Sequence, residues 1–234
     1  IMTVDQFKNA LEKLGITLTD TQLNQLDKYY ELLVETNKVM NLTGIVEKKD
    51  VYLKHFYDSL TIIQCIDLKK VDSLCDIGTG AGFPGMVLKI VFPQLKVTLL
   101  DSLNKRIEFL NCVSNTLYLK DIEIIHTRAE EYASTHRNYF DVTTARAVAH
   151  LSVLLEYAIP MTKVNGYFIA LKGKVEDELK ETENAQKELG VTFEELKEFN
   201  LPIENSTRSI CKFQKKKDIK KYPRKNSEIK KRKL

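Results

Sequence analysis

Apolar residues recur at helical spacing through the first 68 residues. Thr3 and Thr19 each open a capping box, a pattern that marks the start of a helix. The second of these helices has one apolar face, formed by Leu23, Leu26, Tyr30 and Leu33. A third amphipathic run covers residues 51–66, and no strand pattern interrupts the region. Residues 1–68 are therefore predicted to form an N-terminal helical extension packed on the core.

From residue 71 the pattern changes to short apolar strands that alternate with helices. The predicted strands cover residues 71–77, 96–101, 122–126, 140–146 and 166–172, followed by extended stretches at 193–199 and 208–213. The predicted helices cover residues 84–92, 105–117, 151–161 and 176–189, with a short one after residue 126. Alternation of this kind predicts the α/β fold class, here with a mostly parallel seven-stranded sheet over residues 69–213. The last two strands lack a long helix between them and are expected to pair antiparallel at one edge.

The positive charge of the chain is concentrated at its C-terminus. Residues 214–234 hold 11 basic and 2 acidic side chains, whereas the whole chain has a net charge of only +4. We treat this segment as a basic C-terminal tail. Such a block is often a solvated, disordered end with no partner, but its contrast with the acidic body also favours contact with a polyanion such as nucleic acid.

The remaining bulk features point to an ordinary globular protein. No apolar run approaches the roughly 20 residues of a membrane span, and the first helix is unlike a signal peptide. The cysteines are scattered, without a CxxC pair or a histidine at metal-ligand spacing: Cys65, Cys75, Cys112 and Cys211. We expect buried reduced thiols, no metal, no membrane partner and a cytoplasmic monomer.

A glycine-rich segment, DIGTGAGFPG at Asp76–Gly85, follows the first predicted strand. In an open α/β sheet, ligands bind beyond the carboxyl ends of the strands, near the point where strand order reverses. Gly78, Gly80 and Gly82 stand in that turn, where glycine permits positive φ and close approach of a ligand to the backbone. The segment predicts a cofactor site, the alternative being a tight turn with no ligand.

Two cofactors compete for this loop. Gly80–Gly85 fits the dinucleotide pattern GxGxxG, and Asp101 lies at a fitting distance beyond it. Asp76, however, precedes the first glycine by two residues, and a carboxylate there would repel a pyrophosphate. It suits the cationic S-adenosylmethionine, through direct contact, through water or by bracing the loop. Asp101 could accept hydrogen bonds from ribose hydroxyls with either cofactor.

The loop after the fourth predicted strand indicates which kind of atom could accept a methyl group. It lacks the Pro-Pro motif that accompanies methylation of an exocyclic amine; Ala145-Arg146-Ala147 stands there, and no cysteine occupies a place suited to C5 methylation. These absences are consistent with a ring nitrogen such as guanine N7, which carries no proton. Arg146 could hold cofactor, base or phosphate, or brace the loop through a salt bridge. His55 and Asp58, at i and i+3, could reach the site or form a surface ion pair.

With these motifs in order, the chain resembles the bacterial 16S rRNA guanine-N7 methyltransferases, the glucose-inhibited division protein B (RsmG) family. The resemblance covers nearly the whole chain and is carried by Asn41–Thr43, His55–Ser59, Asp76–Gly85, Leu99–Leu110, Arg128–Glu131, Ala145–Ala149 and Leu171–Gly173. It implies a Rossmann-like class I fold that uses S-adenosyl-L-methionine. The implied reaction is methylation of one guanosine in a 16S rRNA hairpin loop, in the 530-loop region near the decoding site of the small ribosomal subunit.

The resemblance also implies site residues. The family's cofactor positions fall on Gly78, Phe83, Ala129, Glu130 and Arg146, with the adenine beside Ala129 and Glu130. The C-terminus departs from the family, because the segment after Tyr-Pro-Arg-Lys reads NSEIKKRKL rather than a Gly/Pro-rich end.

Two other functions stay open at this level. A nicotinamide-dependent oxidoreductase would use Gly80–Gly85 and Asp101 to bind NAD(P). A non-catalytic RNA-binding protein would rely on the basic tail alone.

Overall fold

One seven-stranded sheet organises the protein in a computed structural model that describes residues 2–146 and 149–234. The strand order is β3-β2-β1-β4-β5-β7-β6. The first five strands pair in parallel, and β7 pairs antiparallel with both β5 and β6, as the sequence predicts. The strands are β1 (Ser73–Ile77), β2 (Lys96–Asp101), β3 (Ile122–His126), β4 (Phe140–Ala145), β5 (Thr162–Lys172), β6 (Val191–Asn200) and β7 (Thr207–Lys215). Strand order reverses between β1 and β4, which marks the expected ligand-binding edge.

Helices cover both faces of the sheet. The two N-terminal helices are α1 (Val4–Lys13) and α2 (Asp20–Asn37), and both begin with the predicted capping box. The third predicted helix is a composite of α3 (Lys48–Val51), a π-helical segment (Tyr52–Tyr57), α4 (Asp58–Leu60) and a 3-10 turn (Thr61–Gln64). The other helices are α5 (Gly85–Val91), α6 (Asn104–Thr116), α7 (Ala129–Thr135), α8 (Leu151–Ala158), α9 (Glu176–Lys180), α10 (Glu183–Leu189) and α11 (Asn226–Lys231).

The prediction of one helix over residues 176–189 is wrong. The chain forms α9 and α10 with a break at Thr182. The Thr182 hydroxyl donates a hydrogen bond to the Leu179 carbonyl at 2.6 Å, and its backbone N–H donates to the same oxygen. A side chain that bonds to the preceding turn competes with the helical ladder, which explains the break.

Two apolar cores lie on the two faces of the sheet. Adjacent strand residues alternate between them, so that Leu74 enters one core and Cys75 the other. The core that contains Leu74 also takes in α1, α2 and the composite helix, whereas α8 and α10 pack on the opposite face.

The N-terminal extension touches the glycine loop directly. The Tyr29 hydroxyl of α2 donates a hydrogen bond to the Ala81 carbonyl within that loop. Gln22 of the same helix donates from Nε2 to the Val91 carbonyl at the end of α5. The extension therefore shapes the region that the sequence marks as the cofactor site.

The basic C-terminal segment is folded against the core, rather than solvated as its composition suggests. Its first residues belong to the sheet, since β7 continues to Lys215. Beyond the sheet, Tyr222 and Ile229 are buried. Arg224 donates from Nη2 to Oε1 of the fully buried Glu156 at 2.7 Å. A few apolar and paired residues therefore hold the segment in place, although most of its lysines face solvent.

All four cysteines are free thiols. The expectation that all of them are buried is wrong for Cys112, which is exposed on α6. Among residues 2–146 and 149–234, no group of three or more histidine, cysteine, aspartate or glutamate side chains is arranged to hold a metal ion. No helix in the same part of the chain has the length and apolar character needed to cross a membrane.

Candidate cofactor and acceptor sites

The glycine loop presents its first two glycines to open space. Gly78 and Gly80 adopt φ values of 65° and 63°, in the left-handed region that side chains disfavour. A Cβ atom at either position would meet no other atom within 4 Å. The backbone conformation requires glycine at both positions, and the open space beside them leaves room for a ligand to rest against the backbone.

Gly82 and Phe83, both predicted to bind the cofactor, face the protein interior. A Cβ atom on Gly82 would collide with the Tyr29 hydroxyl and lie 2.8 Å from the Met86 Cβ atom. The Phe83 ring is buried and stacks on His55, with ring centroids 4.2 Å apart. Close packing explains both residues, so a cofactor contact through them remains a prediction.

Asp76 braces the loop, which is one of the three roles left open by the sequence. Its Oδ2 atom accepts hydrogen bonds from the Thr79 hydroxyl at 2.7 Å and from the Gly85 N–H at 2.8 Å. Burial raises the pKa of Asp76 to about 7, against the lowering effect of these two bonds. The residue is thus a weaker fixed negative charge than the sequence argument assumes.

Asp101 is linked to the same loop from the end of β2. Its Oδ2 accepts from the Gly80 N–H at 2.8 Å, and its Oδ1 accepts from the Leu103 N–H at 3.0 Å. Arg106 lies 3.4 Å away and pairs with this carboxylate. Nη1 of Arg106 lies 3.4 Å from both carboxylate oxygens, and these two long contacts are the ones that a ribose hydroxyl could replace.

A cavity of about 330 Å³ opens over the carboxyl ends of β1, β2 and β3. It is lined by Gly78 and Asp101 together with Ala129 and Glu130, the residues at the start of α7. Glu130 accepts a hydrogen bond at 2.8 Å from Arg128, which also lines the cavity. The structure thus brings together four of the predicted cofactor residues, from three different strand ends.

This cavity passes a test of fit for S-adenosylmethionine. The open backbone at Gly78 and Gly80 provides a cradle that a Cβ atom would fill. Within the described part of the chain, the buried Oδ1 of Asp76 has no hydrogen-bond partner, so one acceptor remains behind the loop for a water. The carboxylates of Asp101 and Glu130 suit the donors of ribose and adenine.

Arg146 lies directly after β4, and its guanidinium contacts three acceptors, one on the backbone and two on side chains. Its Nη1 donates to the Lys54 carbonyl at 2.8 Å and lies 3.3 Å from Oδ2 of Asp58. Its Nη2 lies 2.9 Å from Nδ1 of His55. The guanidinium also sits over the Phe83 ring, 5.2 Å from its centroid. The next two residues, Ala147 and Val148, carried part of the family resemblance and lie outside the described residues.

His55 is held as a neutral imidazole. Because a guanidinium only donates, Nδ1 of His55 must accept from Arg146, and Nε2–H then donates to the Thr43 hydroxyl at 3.0 Å. Burial, together with the charges of Arg146 and Lys54, lowers the pKa of His55 to about 3. Both ring nitrogens are engaged, so the residue is not poised as a general base.

Asp58 lies between two arginines. Its Oδ2 faces Arg146, and its Oδ1 accepts from Nε of Arg208 on β7 at 3.2 Å. Burial raises the pKa of Asp58, while the two guanidinium groups act in the opposite direction. The sequence alternative of a surface ion pair between His55 and Asp58 is wrong, because both are buried and each binds Arg146.

A second cavity, of about 530 Å³, adjoins this cluster over the ends of β4 and β5. Five cationic side chains line it, against two carboxylates, Asp58 and Glu178. The cationic residues are Lys54, Arg146, Lys172, Lys174 and Arg208. A cleft with this balance can bind the phosphates and the carbonyl oxygen of a nucleotide.

Sequence reasoning missed Arg208 and Lys54. Arg208 lies 150 residues from its partner Asp58, and Lys54 acts partly through its backbone carbonyl. Local spacing carries no signal for either contact. Thr43, by contrast, belongs to the quoted Asn41–Thr43 motif, whose third residue orients His55.

Comparisons with known proteins agree with this geometry. The family model for rRNA small subunit methyltransferase G matches residues 22–210. Ribosomal RNA small subunit methyltransferase G of Bacillus velezensis is 51% identical over 228 residues, which are 96% of this chain and 95% of that protein. The protein of the same name in Exiguobacterium sibiricum is 50% identical, with 96% of each chain covered.

Solved structures of lower identity support the fold alone. A SAM dependent methyltransferase from Aquifex aeolicus matches with a TM-score of 0.53 at 18% identity, covering 72% of this chain and 94% of that one. M. jannaschii TYW2 in complex with AdoMet matches with a TM-score of 0.52 at 12% identity, covering 62% and 70%. The family match over residues 22–210 and the identity of about half over nearly the whole length show that the chain belongs to the rRNA small subunit methyltransferase G family.

Proposed function

We propose that this protein transfers the methyl group of S-adenosyl-L-methionine to N7 of a guanosine in a hairpin loop of 16S rRNA, the 530-loop region of the small ribosomal subunit. One observation supports the acceptor most directly. Among the described residues that line the cationic cleft, none is poised as a general base: His55 is neutral with both nitrogens engaged, Asp58 is paired with two arginines, and Glu178 is paired with Lys172.

That chemistry suits a ring nitrogen. N7 of guanine has an in-plane lone pair and no proton, so the attack needs alignment rather than deprotonation. The sulfonium of the cofactor supplies an activated methyl group. Gly78, Asp101, Ala129 and Glu130 would hold the cofactor, on the cavity side of the loop braced by Asp76.

Arg146, His55 and Asp58 are proposed to position the acceptor. Arg146 lines the cleft, and its three partners fix the plane of its guanidinium. Arg208 is fixed by the other oxygen of Asp58. Two oriented guanidinium groups can donate to guanine O6 and to a phosphate while leaving N7 unprotonated and free to react.

The setting follows from the substrate. We infer that the protein acts in the bacterial cytoplasm, where ribosomal subunits assemble, and that it acts as a monomer. The match to a methyltransferase family disfavours both the oxidoreductase alternative and the purely RNA-binding alternative.

The test is transfer of a labelled methyl group to small subunits and to stripped 16S rRNA. Borohydride reduction followed by aniline cleaves RNA at 7-methylguanosine, so the product should break at one guanosine of the 530 loop. Omission of S-adenosylmethionine is the control. Label found only on protein, or labelled RNA without the cleavage, would refute the proposal.

A further inference from the structure

We propose that the C-terminal segment completes the cofactor site, with Asn226 and Lys230 of α11 closing the cavity over the adenosine. This inference rests on the proposed function and deepens it. The family model ends at residue 210, before this segment begins.

The first observation is where α11 lies. Asn226 and Lys230 line the same cavity as Gly78, Asp101 and Glu130. They stand one helical turn apart, so both side chains face the cavity from one side of the helix. Without α11, the cavity over β1, β2 and β3 would lose this wall and open further to solvent.

The second observation is the chemistry that α11 presents. Oδ1 of Asn226 accepts a hydrogen bond from the Tyr157 hydroxyl at 3.0 Å. That bond fixes the amide and leaves its Nδ2 hydrogens for an acceptor, such as a purine nitrogen or a ribose oxygen. Lys230 adds a mobile cationic donor at the rim. Both complement Asp101 and Glu130, which can only accept when ionised.

The third observation is the way the segment is fastened. Oε2 of Glu156 accepts from the Arg224 N–H at 2.8 Å, and Oε1 accepts from Nη2 at 2.7 Å. Glu156 is fully buried on α8, so loss of Arg224 would leave an unpaired buried carboxylate. Arg137 donates to the Tyr222 carbonyl and pairs with Asp218. Ile229, on the inner side of α11, is buried against the core.

The residues of the basic segment fall into two groups, one directed inward and one exposed to solvent. The inner residues Arg224, Asn226 and Ile229 point to the core and the cavity. Lys231, Arg232 and Lys233 are exposed and do not line the cavity. A segment that served only to attract RNA would need the exposed lysines but not the fastened inner ones.

The experiment measures calorimetric binding of S-adenosylhomocysteine to the full-length protein and three sets of variants. Removal of residues 226–234, which keeps the Arg224–Glu156 pair, should weaken binding about 10-fold. Asn226→Ala and Lys230→Ala should each weaken it about 3-fold. Lys233→Ala, which removes an equal charge outside the cavity, is the matched control and should leave the dissociation constant unchanged. Thermal unfolding without ligand reports whether each variant is folded.

The outcomes separate this inference from the proposed function. Unchanged S-adenosylhomocysteine affinity in Asn226→Ala and Lys230→Ala overturns the inference, even if the truncated chain fails to fold. A raised KM for RNA with unchanged cofactor affinity also overturns it, because the segment would then be an RNA-binding device. If the wild-type chain itself bound no S-adenosylhomocysteine, the proposed function would fail together with the inference.

Discussion

The two cavities at the carboxyl edge of the sheet differ in charge and in how their polar groups are fixed. The cavity over β1, β2 and β3 has two carboxylates balanced by Arg128 and Lys230, and its shape is set by loop backbone. The cleft over β4 and β5 has five cations against two carboxylates, and its shape is set by paired side chains around Arg146.

The difference matches two kinds of ligand. A small cofactor that must bind in one pose is held by backbone and by carboxylates that accept from its hydroxyl and amino groups. A polyanion is attracted by cations and is oriented by guanidinium groups. If this division is right, substitutions on one side should change binding of one ligand and spare the other.

The largest effect is expected at Gly78. Substitution Gly78→Asp places a side chain in the cavity and forces a residue with a Cβ atom into φ of about 65°. Binding of S-adenosylhomocysteine, measured by calorimetry, should weaken by about 100-fold or more, while RNA binding persists. Gly15→Asp is the matched control, because Gly15 has φ of +84° and open space around it but lies outside the cavity. If Gly78→Asp lost RNA binding as well as S-adenosylhomocysteine binding, while Gly15→Asp kept both, the two cavities would not bind separate ligands.

The next largest effect is expected at Arg146. The variant Arg146→Lys keeps the charge but cannot serve the His55, Asp58 and Lys54 acceptors together. The methyl-transfer kcat should fall about 100-fold because the acceptor is misaligned. Cofactor affinity should change less than about 3-fold. The exposed Arg232→Lys serves as control, and a kcat equal to that of the wild type would remove Arg146 from the positioning set.

A third prediction uses the neutral His55. Its pKa is lowered to about 3, so the unfolded state binds more protons than the folded state as pH falls from 6.5 towards 3. The contribution of His55 should therefore destabilise the protein by about 2 kcal/mol at pH 5 relative to pH 7. Asp76, with a raised pKa of about 7, acts in the opposite direction over this range.

The comparison with His55→Gln isolates this contribution. Urea unfolding at both pH values should show that the variant is less sensitive to acid than the wild type by that amount. Equal acid sensitivity in the two proteins would mean that His55 titrates normally. The methyl-transfer rate, in turn, should show no inflection from His55 between pH 6 and pH 8.

The smallest effect is expected at Lys174, which is exposed at the mouth of the cationic cleft. Lys174→Ala should raise the KM for RNA about 3-fold and reduce the salt dependence of RNA binding by about one phosphate contact. Lys69→Ala, an exposed lysine before β1 that does not line the cleft, should change neither. Equal changes in the KM for RNA in the two variants would indicate that RNA is attracted by the overall charge of the protein and not bound in this cleft.

The sequence predicts the fold well where local pattern decides it. Strands β2 and β3 occupy their predicted residues, because each is a short run rich in β-branched and other apolar residues between turn residues. The glycine loop was also predictable, since φ above zero selects glycine at Gly78 and Gly80.

The site beyond that loop was less predictable. In the sequence Gly82 belongs to the same pattern as Gly78 and Gly80. In the structure it packs against Tyr29, a residue that is far away in the sequence. The basic tail reads as solvated, yet Tyr222, Arg224 and Ile229 fasten it to the core. Such contacts depend on partners far apart in the chain, and periodicity and composition describe only neighbours.

The hydrogen bond from Tyr29 to the Ala81 carbonyl has a practical consequence for protein engineering. A shortened enzyme that begins at the first strand would contain every residue that lines the cavity proposed for the cofactor. It would lack α2, whose Tyr29 contacts the glycine loop. Such a fragment should be a poor starting point for a minimal methyltransferase. A fusion partner or an affinity tag is better attached ahead of α1 than substituted for it.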